Sequence, residues 1–156
     1  MLRVQDWSVS RVVVLSAVLL SGLLNLRLKA EDWSAFRGAD GQGSAGTVSL
    51  PVKWGDGENI AWKTELPGPG ASSPVVYGKH IYVTCYSGFF VPGQTGGTQA
   101  DLRRHLLCVD RAGGTVVWQR TVEPKLPEEE RIRDHGFAAS TPACDAAGVV
   151  VFFEIG

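Results

Sequence analysis

A twelve-residue phrase occurs twice in this chain: residues 72–83 return 68 positions later as residues 140–151. Each copy has two small hydroxylated residues, a proline, a short apolar stretch, a turn containing glycine and a second apolar stretch. Self-similarity at a fixed period is typical of repeat architectures, in which one unit cannot bury its own apolar faces and so packs against its neighbours. The phrase therefore predicts stacked β-units, and it constrains the fold more than any single residue does.

The N-terminus has the order of a secretory signal peptide. Arg3 and Arg11 bracket a charged start, residues 12–26 are almost wholly apolar, and Ala30 ends the segment with a small side chain. The run is shorter than the roughly 20 apolar residues of a membrane span. An uncleaved anchor is the alternative, because Leu28 is bulky for the third position before a cleavage site. Either way we expect export to the periplasm, the cell surface or the medium, with membrane contact through this segment only.

The charge of the remaining chain excludes two classes of partner. From residue 31 onward there are 11 Lys and Arg against 15 Asp and Glu, a net charge near −4. Binding to nucleic acid needs a basic patch that neutralises phosphates. Binding to anionic lipid needs a polybasic cluster. The sequence has neither, so we expect neither partner.

The three cysteines, Cys85, Cys108 and Cys144, have no metal-binding or redox spacing. All three lie in apolar stretches, where cysteine acts as a small hydrophobic residue. We predict buried free thiols. A disulfide between two of them is the alternative in an exported protein.

The chain divides into a signal peptide (residues 1–30), an irregular glycine-rich arm (31–58) and incomplete β-repeats (59–156). Residues 59–64 alternate apolar and polar side chains, which predicts a strand, and the prolines and glycines of 66–70 predict a loop. Two hairpins are predicted to follow, one pairing 74–77 with 80–85 across Gly78 and one pairing 106–109 with 115–118 across the turn 110–114. Only residues 127–134 have a helical composition, and we interpret them as a short solvent-exposed segment that leaves the sheet.

The second hairpin carries a motif of fixed spacing. Cys108, Asp110, Gly113, Gly114 and Trp118 are spaced like the small residue, Asp, Thr-Gly and Trp of the tryptophan-docking repeat. The segment thus resembles the repeat of β-propellers related to pyrroloquinoline quinone (PQQ) dehydrogenases, with Gly113 in place of the usual threonine. The 72–83 and 140–151 phrases resemble the opening strands of such blades, and residues 33–38 resemble the arm of exported PQQ-like repeat proteins.

This resemblance covers about residues 33–155 and implies an all-β fold. The implied architecture is a partial β-propeller of about two to three blades, each a four-stranded antiparallel sheet, preceded by a signal-peptide helix. Trp62 and Trp118 are then wedges between blades, and Asp110 and Gly114 shape the hairpin that docks them. Propellers generally need at least about four blades, so the resemblance implies the N-terminal piece of a longer propeller. Assembly with a partner chain is the alternative.

Candidate chemistry is sparse. Gly41, Gly43 and Gly46 match a dinucleotide-binding fingerprint, but neither the strand before it nor the helix after it is present. No acidic cluster has the spacing of a calcium loop, so we interpret the acidic residues Asp32, Asp40, Asp56, Glu58 and the run 128–130 as solvated. The histidines, His80, His105 and His135, are too scattered to form a triad. His135 precedes a repeat, where a propeller loop opens toward the central axis.

These observations predict an exported, non-catalytic PQQ-like propeller that serves as a binding or assembly scaffold for other proteins or cell-envelope components. The sequence indicates no catalytic residue, no metal ligand and no cofactor, and it identifies no cofactor-binding residue. The alternative is the N-terminal part of a PQQ-dependent alcohol or sugar dehydrogenase, which would require PQQ and calcium. A carbohydrate-binding propeller is a third possibility, suggested only by Phe89 and Phe90 in a glycine-rich loop.

Overall fold

A computed structural model describes residues 32–46, 49–128 and 135–153 of the chain. The predicted signal-peptide helix (1–30) lies outside the described residues, and so does most of the segment with helical composition (129–134). Within the described ranges, no helix is long and apolar enough to cross a membrane. The predicted all-β fold class is confirmed, because strands and one 3₁₀ turn are the regular elements that these ranges contain.

The described residues form two antiparallel sheets. Their strands are β1 (Val75–Tyr77), β2 (His80–Ser87), β3 (Arg103–Asp110), β4 (Val116–Val122), β5 (Ala143–Cys144) and β6 (Val149–Val150). The larger sheet has four strands in the order β1-β2-β3-β4, and the smaller has two, β5 and β6. The 3₁₀ turn, Gln99–Asp101, lies in the long connection between β2 and β3.

Both predicted hairpins are confirmed. β1 turns into β2 at Gly78 and Lys79, with Tyr77 opposite His80. Gly78 has φ +58, a left-handed conformation that glycine adopts without steric cost. β3 turns into β4 through residues 110–114, and the register shifts between Cys108 and Val109, where the ladder carries a bulge.

The 68-residue repeat is preserved in the pairing of the strands. In β1–β2 the pairs are Val75↔Tyr82 and Val76↔Ile81, and in β5–β6 they are Ala143↔Val150 and Cys144↔Val149, each 68 positions later. Equivalent positions also meet directly, because the backbone N–H of Ser73 donates to Oγ1 of Thr141 at 3.0 Å. The phrase that repeats in the sequence is therefore one structural unit, and its two copies lie side by side.

The four-stranded sheet has a buried cluster on each face, since side chains alternate between the faces of a strand. One cluster contains Cys85, Leu107 and Val109, and Trp62 and Leu66 from the preceding segment pack against it. The other contains Tyr86 and Leu102, packed with Phe137 and Ala138 from the segment that leads into β5. The segments before and after the sheet thus cover its two faces.

The prediction of a strand at residues 59–64 is wrong. These residues pair with no strand among those described. Burial nevertheless alternates from Ile60 to Leu66, with every second side chain directed to the protein. The segment lies against the face of the sheet and contacts it through side chains, so its period-two pattern arises without a backbone ladder.

All three cysteines are free and buried, as predicted. Burial raises the pKa of the thiols of Cys85, Cys108 and Cys144. Because the thiolate is the reactive form, these side chains act as small apolar groups in the core.

Candidate functional site

Asp110 shapes the turn between β3 and β4. Its Oδ2 accepts hydrogen bonds from the backbone N–H groups of Ala112 at 3.1 Å and Gly113 at 2.7 Å. Its backbone carbonyl accepts from the N–H of Gly114 at 2.8 Å. An aspartate that bonds the backbone two and three residues downstream stabilises a turn, so the predicted local role of Asp110 is confirmed.

Trp62 lies on this turn from a position far away in the chain. Its indole Nε1 donates to the backbone carbonyl of Arg111 at 3.0 Å. Gly114 has φ +73, and a Cβ built there would lie 2.5 Å from Cε3 of the indole. Thr64 adds a second link, since its hydroxyl donates to the carbonyl of Gly114. The ring is therefore seated directly on glycine backbone, and we call residues 110–114 with Trp62 the docking turn.

Trp118 lies on the opposite face of the sheet from Trp62. It pairs with Cys108 across the β3–β4 ladder. Its ring centroid is 5.9 Å from that of Tyr82, and the guanidinium carbon of Arg120 lies 5.7 Å from the ring. The ring is half-buried. Of the four residues that the resemblance assigned to docking, the structure brings Trp62, Asp110 and Gly114 together and holds Trp118 apart from them.

The N-terminal arm connects the β1–β2 hairpin to the β5–β6 hairpin. Trp33 exchanges two backbone hydrogen bonds with Val76 of β1, at 2.9 and 2.7 Å, and the carbonyl of Ser34 accepts from the N–H of Cys144 in β5 at 2.9 Å. Oδ1 of Asp32 accepts from the backbone N–H of Gly78 at 2.8 Å. Asp32 is thus bonded to the β1–β2 turn, and the predicted solvated role for this residue is wrong.

Glu128 is also not the solvated residue that the acidic run predicts. Its side chain and that of Arg104 are each 2% exposed, and the two form a bidentate pair at 2.9 and 2.7 Å. The guanidinium carbon lies 5.5 Å from the ring of Phe137, and Gln99 makes two hydrogen bonds to the backbone of Glu128. Hydrogen bonds from Arg104 hold the pKa of Glu128 below its ordinary value. The pair fixes the segment after β4 to the sheet.

A second polar cluster surrounds His105, which is buried. Its Nε2 lies 2.8 Å from Oγ of Ser87, and its Nδ1 lies 3.1 Å from Nε2 of Gln119 and 3.1 Å from Oγ1 of Thr121. Burial, followed by the charge of Arg103, lowers the pKa of His105, which favours the neutral ring.

The geometry of this cluster disfavours nucleophilic chemistry at Ser87. An amide nitrogen can only donate, so Nδ1 of His105 accepts from Gln119 and the ring proton sits on Nε2. Nε2 therefore donates to Ser87, whereas activation of a hydroxyl nucleophile requires the imidazole to accept from it. We interpret the cluster as a hydrogen-bonded chain that joins β2, β3 and β4.

The remaining sequence candidates stay apart. His80 and His135 are exposed, and so are Gly41, Gly43 and Gly46 of the fingerprint. Asp56 pairs with Lys63 at 2.6 Å on the surface. No group of three or more His, Cys, Asp or Glu side chains that could hold a metal ion occurs in the described ranges.

Sequence reasoning missed the buried Arg104–Glu128 pair and the polar cluster around His105. Ser87, His105 and Thr121 lie on three different strands, and Arg104 and Glu128 are 24 positions apart. The one available signal was the position of Arg103 and Arg104 directly before the apolar stretch of β3, since a charge that is buried there requires a partner. The sequence does not say which of the acidic residues supplies it.

Comparison of the chain with protein-family models, with curated proteins and with solved structures returned no match.

Proposed function

We propose that this protein is an exported PQQ-like repeat β-propeller that serves as a non-catalytic scaffold, binding other proteins or cell-envelope components. In this proposal the four-stranded sheet is one blade and the β5–β6 hairpin opens the next. The signal segment of residues 1–30 directs export, and the protein needs no cofactor.

The seating of Trp62 on Gly114 is the observation that carries the proposal. It joins the segment before the sheet to the turn that has the docking-repeat spacing, through one indole hydrogen bond of 3.0 Å and close ring-to-backbone contact. Two further observations support it: the repeated register at 68 positions and the covering of the sheet on both faces by neighbouring segments. Radial packing of sheets in a propeller requires covering of this kind.

The polar side chains also support a structural role. The buried polar groups of the sheet bond one another or the backbone: Arg104 pairs with Glu128, His105 with Ser87, and the hydroxyl of Thr84 with the carbonyl of Ser140 at 3.1 Å. Groups engaged in this way rigidify a fold. They link strands and neighbouring segments, which suits a scaffold.

Calorimetric titration of the purified protein with PQQ, in the presence and absence of calcium, tests the scaffold against the dehydrogenase alternative. We expect no saturable heat, and no dye-linked oxidation of alcohols or sugars after incubation with both. Stoichiometric PQQ binding that depends on calcium would overturn the scaffold proposal and favour the quinoprotein dehydrogenase.

A further inference from the structure

The two edge strands of the four-stranded sheet differ in their backbone pairing with neighbouring segments. On the β1 edge, Trp33 of the arm exchanges backbone hydrogen bonds with Val76. On the β4 edge, the backbone of residues 116–122 bonds β3 and no other described part of the chain. In an antiparallel pair every second residue directs its N–H and C=O away from the partner strand. Within the described part of the chain, β4 therefore presents a row of unpaired backbone groups.

β4 lacks most of the features with which proteins protect such an edge. Protection normally comes from proline, several charges, a bulge or a very short strand. β4 has seven residues, no proline and a single charge, Arg120. The bulge lies at one end, beside Val116. Val116 and Val117 are 39% and 53% exposed. An exposed strand of this composition favours pairing with another strand.

The order of the side chains along β4 favours a second copy of β4 as its pairing partner. Two copies of β4 that overlap fully in antiparallel orientation bring Gln119 opposite its own counterpart. Trp118 then lies opposite Arg120 of the other copy, and Val116 lies opposite Val122. Directly opposed residues have Cβ atoms about 4.5–5.5 Å apart, within reach of a cation–π contact. Trp118 and Arg120 already make this contact within one strand, at 5.7 Å.

Charge disfavours two alternative arrangements of the strand pair. Parallel pairing in register would put Arg120 opposite Arg120, and so would an antiparallel overlap centred on that residue. Like charges that oppose each other directly destabilise a strand pair. The overlap centred on Gln119 avoids this repulsion. In it, each Arg120 makes a cation–π contact with Trp118 of its own strand and another with Trp118 of the second copy.

We infer that β4 is a homodimer interface, in which two copies join edge to edge around a twofold axis. The contact is isologous, as in most homodimers, and it closes the open edge of both copies. The two four-stranded sheets become one continuous sheet of eight strands. This inference does not depend on the proposed scaffold function, because it rests on the backbone and side chains of β4.

Sedimentation equilibrium of the purified protein over a wide concentration series tests the interface. We expect a reversible dimer that dissociates on dilution. Arg120→Glu removes both cross-strand cation–π contacts and is expected to weaken dimerisation by about tenfold or more. Val117→Lys introduces a charge of the kind that protects natural edges and is expected to weaken it as well.

Two exposed positions outside β4 give matched controls, Lys53→Glu for the charge reversal and Val52→Lys for the added lysine. Neither is expected to change the dimerisation constant, and Arg120→Lys is expected to retain most of it. Amide hydrogen exchange of residues 116–122 should slow as the protein concentration rises. A monomer at every concentration would overturn the inference. It would also fail if the dimer were unaffected by both β4 substitutions, or equally weakened by the controls.

Discussion

Gly114 is the residue on which the docking turn depends most closely. Its left-handed φ of +73 suits glycine, and the space that a side chain would fill is occupied by the ring of Trp62 and the hydroxyl of Thr64. Gly113, its neighbour, has a backbone conformation outside the left-handed region, and a Cβ there would meet Oδ2 of Asp110 at 3.5 Å and Oγ1 of Thr115 at 3.9 Å, both ordinary contact distances. A side chain is therefore expected to be tolerated at Gly113 and not at Gly114.

Gly114→Ala is expected to lower the free energy of unfolding by about 1–3 kcal/mol, because it combines backbone strain with displacement of the indole. Gly113→Ala is expected to change it by less than about 1 kcal/mol. Urea denaturation followed by tryptophan fluorescence measures both. Equal effects of the two substitutions would contradict the seating of Trp62 on Gly114.

The stability of the protein is also expected to depend strongly on the Arg104–Glu128 pair. Removing one member of a buried pair leaves the other charge without compensation. We expect Glu128→Gln to destabilise the protein by about 3–5 kcal/mol. Glu123 pairs with Arg103 at the surface, and Glu123→Gln should have an effect of at most about 1 kcal/mol. Chemical denaturation of the two variants is the measurement, and a Glu128→Gln protein as stable as the wild type would show that the pair does not form.

The same pair predicts an acid-dependent loss of stability. The pKa of Glu128 is held below its ordinary value of 4.5, mainly by the hydrogen bonds from Arg104. A carboxylate with a depressed pKa stabilises the folded state above its unfolded-state pKa, and this contribution disappears as the pH falls through the folded-state pKa. The difference in stability between wild type and Glu128→Gln should therefore shrink as the pH is lowered below 4.5. A difference that is constant across this range would contradict the assignment.

Among the strands, β3 is the centre of the fold. Six consecutive residues, from Arg104 to Val109, are buried, and β3 pairs along its length with β2 and β4. β6 has two residues, one of them exposed, and pairs with β5 alone among the described strands. Local opening is rarest where burial and pairing are greatest.

Amide hydrogen exchange is expected to follow this order, with the slowest exchange in β3 and much faster exchange in β6. Mass spectrometry of peptides covering residues 103–110 and 149–150 at neutral pH measures the two rates. Comparable protection of the two strands would contradict the structure in this region.

The hairpins were predictable because their signals are local. Gly78 marks a turn by its own backbone freedom, and Asp110 bonds the residues that directly follow it. The segment 59–64 shows where such reasoning fails. Its alternating pattern records which side chains face the protein, and packing on a sheet face produces the same pattern as membership of a strand.

The chain as a whole is expected to be exported through its N-terminal segment. Leu19→Arg puts a charge into the apolar run and should retain the protein in the cytoplasm, because a signal peptide requires an uninterrupted apolar h-region. Asp56→Arg, which places an arginine at an exposed surface position, is the control and should be exported normally. Cell fractionation with immunoblotting measures the distribution. Unchanged export of Leu19→Arg would contradict the prediction.

The sequence alone determined the β-class, the repeat at 68 positions, the turns and the burial of the cysteines. The β-class, the turns and the burial of the cysteines depend on backbone preferences or hydrophobicity within a few residues, and the repeat is visible when two stretches of the sequence are compared. Only the tertiary structure decided that Trp62 meets a turn 49 positions away, that Glu128 is buried against Arg104, and that no other described segment pairs with the outer edge of β4. Contacts between distant residues depend on how the segments pack, and many pairings share the same local pattern. The choice among them is made when the whole chain buries its apolar surface and pairs its buried polar groups.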